Sequence, residues 1–333
     1  METICGLLER FTKRLIIFLG VFSLGLAFSG CGAEPKVYQV GILCGLEYFA
    51  DTADGFKTKM TELGYIEGKN IVYNFQQTSF EPDKERLITE KFISDKVDLI
   101  FVFPTEVALE VKSTTRGTKV PVIFGNAYTE GTGLIQSVVQ PGENITGVRW
   151  PGTDMTLKNF ETLLEVIPKT KRIWVPHMKG YPSIPSQLEA LRPVAAAAGV
   201  TVIEAPLGGL ADLKSTLQTL GGTRIDIDAV LMVYDPLMAT PEATLAIVDF
   251  WADKKVPVAG PVTSGGISGL YIDNIETGQL AAVLADKILK GAPAGTIPVV
   301  SPEASLWVNY KAMQTLGLKA SEDLLSRAHK IIR

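Results

Sequence analysis

The feature that most constrains the fold is an alternation of short apolar strand-like segments and helix-like segments that starts again halfway along the chain. The strand-like segments are continuous apolar runs, which is typical of strands buried on both faces of a parallel sheet. Helices between such strands predict βαβ units and an α/β fold. The predicted strands cover 37–44, 70–76, 99–103 and 120–124 in the first half, and 172–176, 200–205, 229–234 and 256–259 in the second.

The two halves match in one segment each, 98–125 and 228–260. Each segment has an aspartate, an apolar strand, a proline, a helix, then Lys-Val-Pro-Val and a glycine. This pattern indicates one doubly wound unit used twice, although βαβ units in general resemble one another. The joint between the halves is predicted between Pro141 and Gly152, where proline and glycine cluster.

The chain continues after the second half with a predicted strand, a long helix, an extended segment and a final helix, at 269–273, 277–289, 297–300 and 321–332. Such a tail indicates that the chain crosses between two lobes more than once. Ligands bind at the carboxyl ends of parallel strands, and two such edges that face each other form a closable cleft. The predicted division places 36–147 and about 275–300 in lobe 1, and 148–274 and 301–333 in lobe 2.

The N-terminal segment predicts export from the cytoplasm. A basic start (Arg10–Arg14) precedes an apolar run (Leu15–Phe28), which is the layout of a secretory signal. The run is about 14 residues, shorter than the roughly 20 that span a bilayer as a helix. The segment Ala27–Cys31 resembles a bacterial lipobox, which implies lipidation of Cys31 and removal of residues 1–30 as a lipoprotein signal peptide. An uncleaved anchor and plain secretion are the alternatives.

The composition is that of a globular protein with a large core, at 46% hydrophobic and 20% charged residues. The net charge of −4 comes from well-mixed acids and bases, so nothing indicates nucleic-acid binding. After removal of the signal and lipidation of Cys31, only Cys44 remains, and its apolar strand predicts a buried thiol. We expect no internal disulfide, and a monomer.

The motifs of common enzyme classes are absent from the sequence. The segment Gly41–Gly45 is not a dinucleotide-binding GxGxxG, and Gly265–Gly269 lacks the spacing of a nucleophile elbow. The only histidines, His177 and His329, are far apart, so a metal site or a Cys-His dyad is not expected. His177 ends a strand near the predicted cleft, where it either contacts ligand or is an ordinary loop residue. We therefore expect neither catalysis nor a cofactor.

Two helix starts are candidate sites for a carboxylate. Thr105 is a good N-cap residue, and its hydroxyl and the first free amides of the helix can hold an anion. Ser183 precedes Ile184-Pro185, where proline suits a first helical turn. The alternative for Thr105 is capping without a ligand.

Aromatic and acidic residues at strand ends complete the candidate ligand site. Aromatic rings there can form an apolar slot for a flat or aliphatic ligand. Asp235 and Asp273 can each pair with an ammonium group, with turn formation and helix capping as their respective alternatives. The aromatic candidates are Tyr48, Tyr128, Tyr181 and Tyr234.

One segment resembles a protein family closely. The sequence from Gly133 to Gly147 is similar to the pattern GL(V)xSLxxPGGNxTG of ABC-transporter substrate-binding proteins that include tryptophan and tyrosine binders. Three further segments, containing Leu63–Asn70, Ala285–Gly291 and Leu316–Leu318, resemble the same family in the same order. The resemblance extends over residues 37 to 330.

The resemblance implies a type I periplasmic-binding-protein fold, with two Rossmann-like lobes, a multi-strand hinge and the ligand in the cleft. It carries over Thr105 and Asp273 as site residues. Tyr128-Thr129-Glu130 stands where members often have Asp-Pro, and Glu106-Val107 follows Thr105 where many have Pro-Ala. The resemblance therefore does not carry over a specificity for aromatic amino acids.

These observations predict a lipid-anchored solute-binding protein on the periplasmic or cell-surface side of the membrane. By hinge closure it would capture an amino acid, aromatic or branched, or a similar zwitterion. It would deliver that ligand to an ABC permease and its ATPase. The alternative is a ligand-sensing receptor of the same fold that signals to a chemoreceptor or a histidine kinase.

Overall fold

The computed structural model describes residues 36–222, 226–238 and 240–333, and Tyr38–Arg333 forms one compact unit. The predicted signal peptide and Cys31 lie outside the described residues. The first sheet is parallel throughout, in the order β2-β1-β3-β4-β5. Its strands are β1 (Tyr38–Cys44), β2 (Ile71–Gln77), β3 (Leu99–Phe103), β4 (Val122–Ala127) and β5 (Ile145–Arg149).

The second sheet repeats this order and then extends it, as β7-β6-β8-β9-β10-β11-β12. All of its neighbouring strands are parallel except β10 and β11, which are antiparallel. Asp98 and Asp228, the aspartates of the sequence repeat, have matching roles, because each accepts backbone N–H groups at the start of a neighbouring strand. The strands are β6 (Arg172–Met178), β7 (Thr201–Leu207), β8 (Ala229–Leu231), β9 (Val258–Ala259), β10 (Ser268–Tyr271), β11 (Ser305–Asn309) and β12 (Lys330–Ile332).

Helices pack on both sheets. Lobe 1 is the first sheet with α1 (Asp51–Glu62), α2 (Pro82–Ser94), α3 (Thr105–Thr114) and α8 (Asn274–Leu289). Lobe 2 is the second sheet with α4 (Gly152–Val166), α5 (Ile184–Ala197), α6 (Leu210–Gly221), α7 (Pro241–Ala252), α9 (Tyr310–Thr315) and α10 (Glu322–Arg327). Proline occupies the first helical turn of α2, α5 and α7, where its missing N–H has no intrahelical partner to lose.

Each sheet separates two apolar cores, because successive side chains of a strand point to opposite faces. In β3, Leu99, Phe101 and Phe103 pack towards α1 and α8, whereas Ile100 and Val102 pack towards α2 and α3. The second sheet likewise has one core against α4 and α5 and another against α6 and α7. This double coverage explains why the strand sequences are continuously apolar.

The chain crosses between the two sheets three times, after β5, after β10 and before β11. Arg149 is the last residue of β5, and its side chain links the first crossing to the third. Its guanidinium binds Glu130 at 2.6 Å, Asp154 of α4 at 2.6 Å, and the Ser301 hydroxyl in the third crossing at 2.6 Å. The α/β architecture with two lobes is therefore confirmed. The predicted lobe boundaries stay predictions, and the one at 147/148 falls within β5.

The prediction of a final helix over 321–332 is wrong in its second half. The helix α10 ends at Arg327, and Lys330–Ile332 form β12, which pairs with β11. His329 therefore lies between the helix and the strand, and its backbone N–H donates to the carbonyl of Leu306. The edge of the second sheet offers these residues ladder hydrogen bonds, and that tertiary pairing outweighs local helix propensity.

Candidate ligand-binding cleft

The carboxyl ends of strands from both lobes meet at one place. The hydroxyl of Tyr128, in the loop after β4, donates to the carbonyl oxygen of Tyr234 after β8 at 3.0 Å. The hydroxyl of Tyr181, after β6, donates to the carboxylate of Glu106 in α3 at 3.1 Å. The rings of Tyr128 and Tyr181 lie edge to face with centroids 5.9 Å apart. These contacts define the cleft, and they bring together residues that are distant in sequence.

The lobe 2 wall of the cleft rests on Gln187, which is fully buried. Its side-chain oxygen accepts from the Thr156 hydroxyl at 2.7 Å and from the Tyr234 N–H at 2.9 Å. Its side-chain nitrogen donates to the Ser183 hydroxyl at 3.1 Å and to the Tyr234 carbonyl at 2.8 Å. The Tyr234 hydroxyl is held in turn by Asn159 and the carbonyl of Leu270. Gln187 therefore fixes both Ser183 and Tyr234.

Asp235 is buried behind this wall and supports the backbone. One carboxylate oxygen accepts the N–H of Met178 at 2.6 Å, and the other accepts the N–H of Met238 at 2.8 Å. Burial raises the pKa of Asp235, and these hydrogen bonds oppose that shift. The arrangement matches the turn-forming role that the sequence offered as an alternative, while a ligand role for Asp235 stays a prediction.

Thr105 is the first residue of α3 and not its cap, because Pro104 holds the cap position. Its hydroxyl instead accepts the N–H of Tyr128 at 3.0 Å. Thr105 therefore fixes the loop that carries Tyr128. Ser183 does stand at the cap position of α5, but its hydroxyl accepts a hydrogen bond from the Gln187 side chain and makes no capping hydrogen bond.

Two predicted site residues lie apart from these contacts. Tyr48 is 69% exposed, and its ring packs edge to face on Phe49. Asp273 is exposed and caps α8 by accepting the N–H of Ile275 at 2.7 Å, which was the alternative reading of that residue. Asn274 places the two near each other, since its side-chain nitrogen donates to the carbonyl of Tyr48.

Three polar residues of the cleft region, Glu106, Asn126 and Gln187, were not among the predicted site residues. Asn126 has a φ of +50° at the end of β4 and donates to the Thr52 hydroxyl at 2.9 Å, while its buried side-chain oxygen has no partner in the described part of the chain. The signal for Glu106 was its position directly after Thr105. The sequence carried no comparable signal for Gln187, because burial of a helical glutamine depends on the tertiary fold.

The tyrosines of the cleft are neutral hydrogen-bond donors. Burial raises the pKa values of Tyr128, Tyr181 and Tyr234, and the charge of Glu106 raises the pKa of Tyr181 further. His177 ends β6 near Asp235 and is buried, with no partner for either ring nitrogen within the described residues. The residues that meet at the cleft are therefore aromatic rings, tyrosine hydroxyls and one exposed carboxylate, which are groups that can contact a small polar ligand.

No group of three or more His, Cys, Asp or Glu side chains in residues 36–222, 226–238 and 240–333 is arranged to hold a metal ion. Within the same ranges, no helix is both long and apolar enough to cross a bilayer.

Comparison with known proteins agrees with this architecture. The model of the ABC transporter substrate binding protein family matches residues 45–332. A tyrosine-binding protein of Clostridioides difficile is 28% identical over 274 residues, which cover 80% of this chain and 76% of that protein. A conserved domain protein from Vibrio cholerae has a TM-score of 0.72 and 25% identity over 89% of this chain and 100% of its own.

Two further solved structures share the fold. An ABC domain from Streptococcus pneumonia in complex with L-Trp has a TM-score of 0.74 and 22% identity, covering 89% of this chain and 100% of its own. A ligand-free, open substrate-binding protein with adhesive properties from Clostridium difficile has a TM-score of 0.74 and 24% identity, covering 89% and 99%.

Two α/β lobes that repeat one strand order, and whose strand ends meet across a cleft, together with these relatives identify a type I periplasmic binding protein. This chain belongs to the ABC transporter substrate-binding protein family. The function of that family is solute binding.

Proposed function

We propose that this protein captures an amino acid or a similar small zwitterion outside the cytoplasm and delivers it to an ABC importer. The observation that carries the proposal is that tyrosines from both lobes meet at the strand ends. The Tyr128 hydroxyl donates to the carbonyl of Tyr234, and the Tyr181 hydroxyl donates to the carboxylate of Glu106. The names of two relatives, a tyrosine-binding protein and a domain in complex with L-Trp, support an amino-acid ligand.

The mechanism that we propose is hinge closure. A ligand in the cleft would contact lobe 1 through Thr105 and the Tyr128 loop, and lobe 2 through the Tyr181 and Tyr234 regions. It would gain both sets of contacts only in the closed form, so binding would shift the population towards closure. The permease would then distinguish loaded from empty protein by the relative position of the lobes.

Thermal unfolding against a panel of amino acids, short peptides, purines and sugars tests capture. The purified protein is first unfolded and refolded to remove copurified ligand. A ligand at 100 times its Kd adds about 2.7 kcal/mol to the stability of the native state, which raises the Tm by several degrees. A shift with an aromatic or branched amino acid is the expected result. A shift only with sugars or purines would contradict the amino-acid assignment.

Delivery to an importer is tested in cells of the source bacterium. Uptake of the radiolabelled ligand should fall when the gene is deleted and recover when it is restored. Unchanged uptake, together with a lost chemotactic or transcriptional response to the ligand, would favour the sensing role instead.

We also propose that Cys31 carries a lipid that anchors the protein to the membrane. The support is the sequence pattern, a basic start, a short apolar run and Ser-Gly-Cys. Intact-mass measurement of the membrane-extracted protein should show removal of residues 1–30 and an added lipid, and Cys31→Ser should abolish both. Cys44→Ser is the matched control, because Cys44 is a buried thiol inside lobe 1. A protein of unprocessed mass would contradict the proposal.

A further inference from the structure

A zwitterion needs a negative partner for its ammonium group, and neither of the two aspartates predicted for this task is a free carboxylate among the cleft tyrosines. Both oxygens of Asp235 accept backbone N–H groups, and the residue is 3% exposed. Asp273 is exposed and uses one oxygen, Oδ1, to cap α8 through the N–H groups of Ile275 and Glu276, and it lies with Tyr48, apart from the contacts of the cleft tyrosines. A carboxylate that meets a ligand beside Tyr128 and Tyr181 therefore has to come from another position. The inference that follows rests on the proposed function.

Glu106 has the required position and freedom. It lies in the first turn of α3, directly after Thr105, and its side chain is exposed. One carboxylate oxygen accepts the hydroxyl of Tyr181 from the opposite lobe at 3.1 Å. In the described part of the chain, no basic side chain lies within ion-pair distance of this carboxylate. Its charge is therefore available to a cation that enters the cleft.

The rings beside Glu106 suit the same cation. The Tyr181 hydroxyl contacts the carboxylate, and the rings of Tyr181 and Tyr128 lie edge to face with centroids 5.9 Å apart, so two aromatic rings stand beside Glu106. An ammonium group is attracted both to a tyrosine face and to a carboxylate. Burial and the charge of Glu106 keep Tyr181 protonated, so that its hydroxyl orients the carboxylate.

The surrounding charges reinforce this preference for a cation. Glu106, Glu85 and Glu110 line one cavity of about 350 Å³ beside the cleft, with Phe80, Pro82 and Leu109 as its apolar part. The arginine of the first crossing, Arg149, is already bound to Glu130 and Asp154. The local field at Glu106 is therefore negative and disfavours a second anion.

We propose that Glu106 is the residue that selects the ligand's ammonium group, with Tyr181 holding its carboxylate in place. The site would then require an amine on the ligand more strongly than it requires a carboxylate.

Binding of two matched sets of probes by calorimetry tests this assignment. The first set is L-tyrosine, tyramine and 3-(4-hydroxyphenyl)propanoate, and the second is L-leucine, isoamylamine and 4-methylpentanoate. In at least one set, the wild-type protein should bind the amino acid and the amine, and bind the deaminated acid much more weakly. Glu106→Gln should weaken binding of the amino acid and the amine by about tenfold or more, because a charge-assisted hydrogen bond becomes a neutral one.

Two further variants separate this role from a structural one. Glu106→Gln keeps an oxygen that can accept from Tyr181, so its Tm should match that of the wild type. Glu90→Gln removes the same charge from an exposed position on α2 and should leave affinity within about twofold. Tyr181→Phe should weaken binding of the amino acid several-fold, which is a smaller loss than that expected for Glu106→Gln.

The outcomes distinguish this inference from the proposed function. Wild-type affinity in Glu106→Gln, or a deaminated acid that binds as tightly as its amino acid, would overturn the role of Glu106 while capture of amino acids stands. Binding of an amine without any amino acid would uphold Glu106 and overturn the amino-acid assignment. Binding of neither set would overturn the inference.

Discussion

The two walls of the cleft differ in how much of their polar chemistry is already used. On the lobe 2 side, Gln187, Ser183, Tyr234 and Asp235 bind one another or the backbone within that lobe, and the Tyr234 carbonyl also accepts the Tyr128 hydroxyl from lobe 1. On the lobe 1 side, Glu106 meets only a hydroxyl from the opposite lobe, and the side-chain oxygen of Asn126 has no partner in the described residues. Lobe 2 therefore supplies a preformed surface, whereas lobe 1 supplies the open charge.

This difference predicts which substitutions should affect the stability of the fold and which should affect ligand binding. A buried network centred on one side chain, as on Gln187, cannot lose that side chain without leaving its partners unpaired, so such a change costs stability. An exposed carboxylate can be replaced at little cost to the fold, so its removal changes only what is bound. The two walls can therefore be separated by mutation.

The largest effect is expected for Gln187→Ala in lobe 2. The change leaves the Thr156 and Ser183 hydroxyls and the Tyr234 N–H without their buried partner, and it removes one of the two donors to the Tyr234 carbonyl, which we expect to cost about 3–4 kcal/mol in total. Urea denaturation measures the free energy of unfolding. Glu189→Ala, at an exposed position on the same helix, is the control and should change it by less than about 0.5 kcal/mol. Equal effects of the two changes would remove the distinction between the walls.

The second-largest effect is expected where helices α1 and α8 of lobe 1 pack against each other. A Cβ added at Gly278 of α8 would collide with the backbone of α1 at Thr52 and Phe56. Both groups are backbone atoms and cannot rotate away, so Gly278→Ala should cost about 2–3 kcal/mol despite the better helix propensity of alanine. The same denaturation assay measures the change, with Gln279→Ala as the neighbouring control. A stabilised variant would show that the helices can separate freely.

The fold could be predicted from the sequence because its signals are local. Continuous apolar runs, prolines at helix starts and the repeated aspartate-strand-proline segments each indicate an element without knowledge of its neighbours. The strand β12 was missed for the converse reason, since Lys330–Ile332 become a strand only by pairing with β11.

The candidate site could be predicted only in part, for a related reason. Tyrosines after predicted strands are visible in the sequence because strand ends are visible, and Tyr128, Tyr181 and Tyr234 do meet. Which polar groups are free and which are engaged depends on side-chain partners from distant segments. Asp235 and Glu106 both lie close to strand ends in the sequence. Only the tertiary contacts show that the carboxylate of Asp235 is bound to backbone N–H groups, whereas that of Glu106 has one hydroxyl partner and is exposed.

A smaller effect is expected where the walls touch. Tyr128→Phe removes the hydroxyl that donates across the cleft to Tyr234 and keeps the ring. Loss of one hydrogen bond of about 1 kcal/mol from the closed form should weaken ligand affinity about fivefold, with a larger open fraction in small-angle X-ray scattering. Tyr73→Phe is the control, because the buried Tyr73 hydroxyl has no partner among the described residues. Unchanged affinity in Tyr128→Phe would mean that this contact does not help closure.

The smallest effects should depend on pH, with opposite signs in the two lobes. In lobe 1, burial and the charges of Glu110 and Glu106 raise the pKa of Glu85, whose carboxylate accepts from the Thr78 hydroxyl. In lobe 2, the hydrogen bond from Arg192 lowers the pKa of Glu204. A raised native pKa means that the native state binds more protons than the unfolded state, so stability falls as pH rises through that range. A lowered native pKa has the opposite sign, and its stabilisation is lost as pH falls through the native value.

Glu85→Gln and Glu204→Gln therefore form a matched pair. Glu85→Gln keeps an acceptor for Thr78 and removes the penalised charge, so at pH 7 it should be more stable than the wild type, and the gain should disappear below the unfolded pKa of glutamate. Glu204→Gln should be less stable at pH 7, by under about 1 kcal/mol because the pair is partly exposed, and that deficit should disappear at low pH. Urea denaturation between pH 3.5 and 8 measures both. If both variants were more stable than the wild type at pH 7, or both less stable, the two carboxylates would not have the different environments that we assign to the lobes.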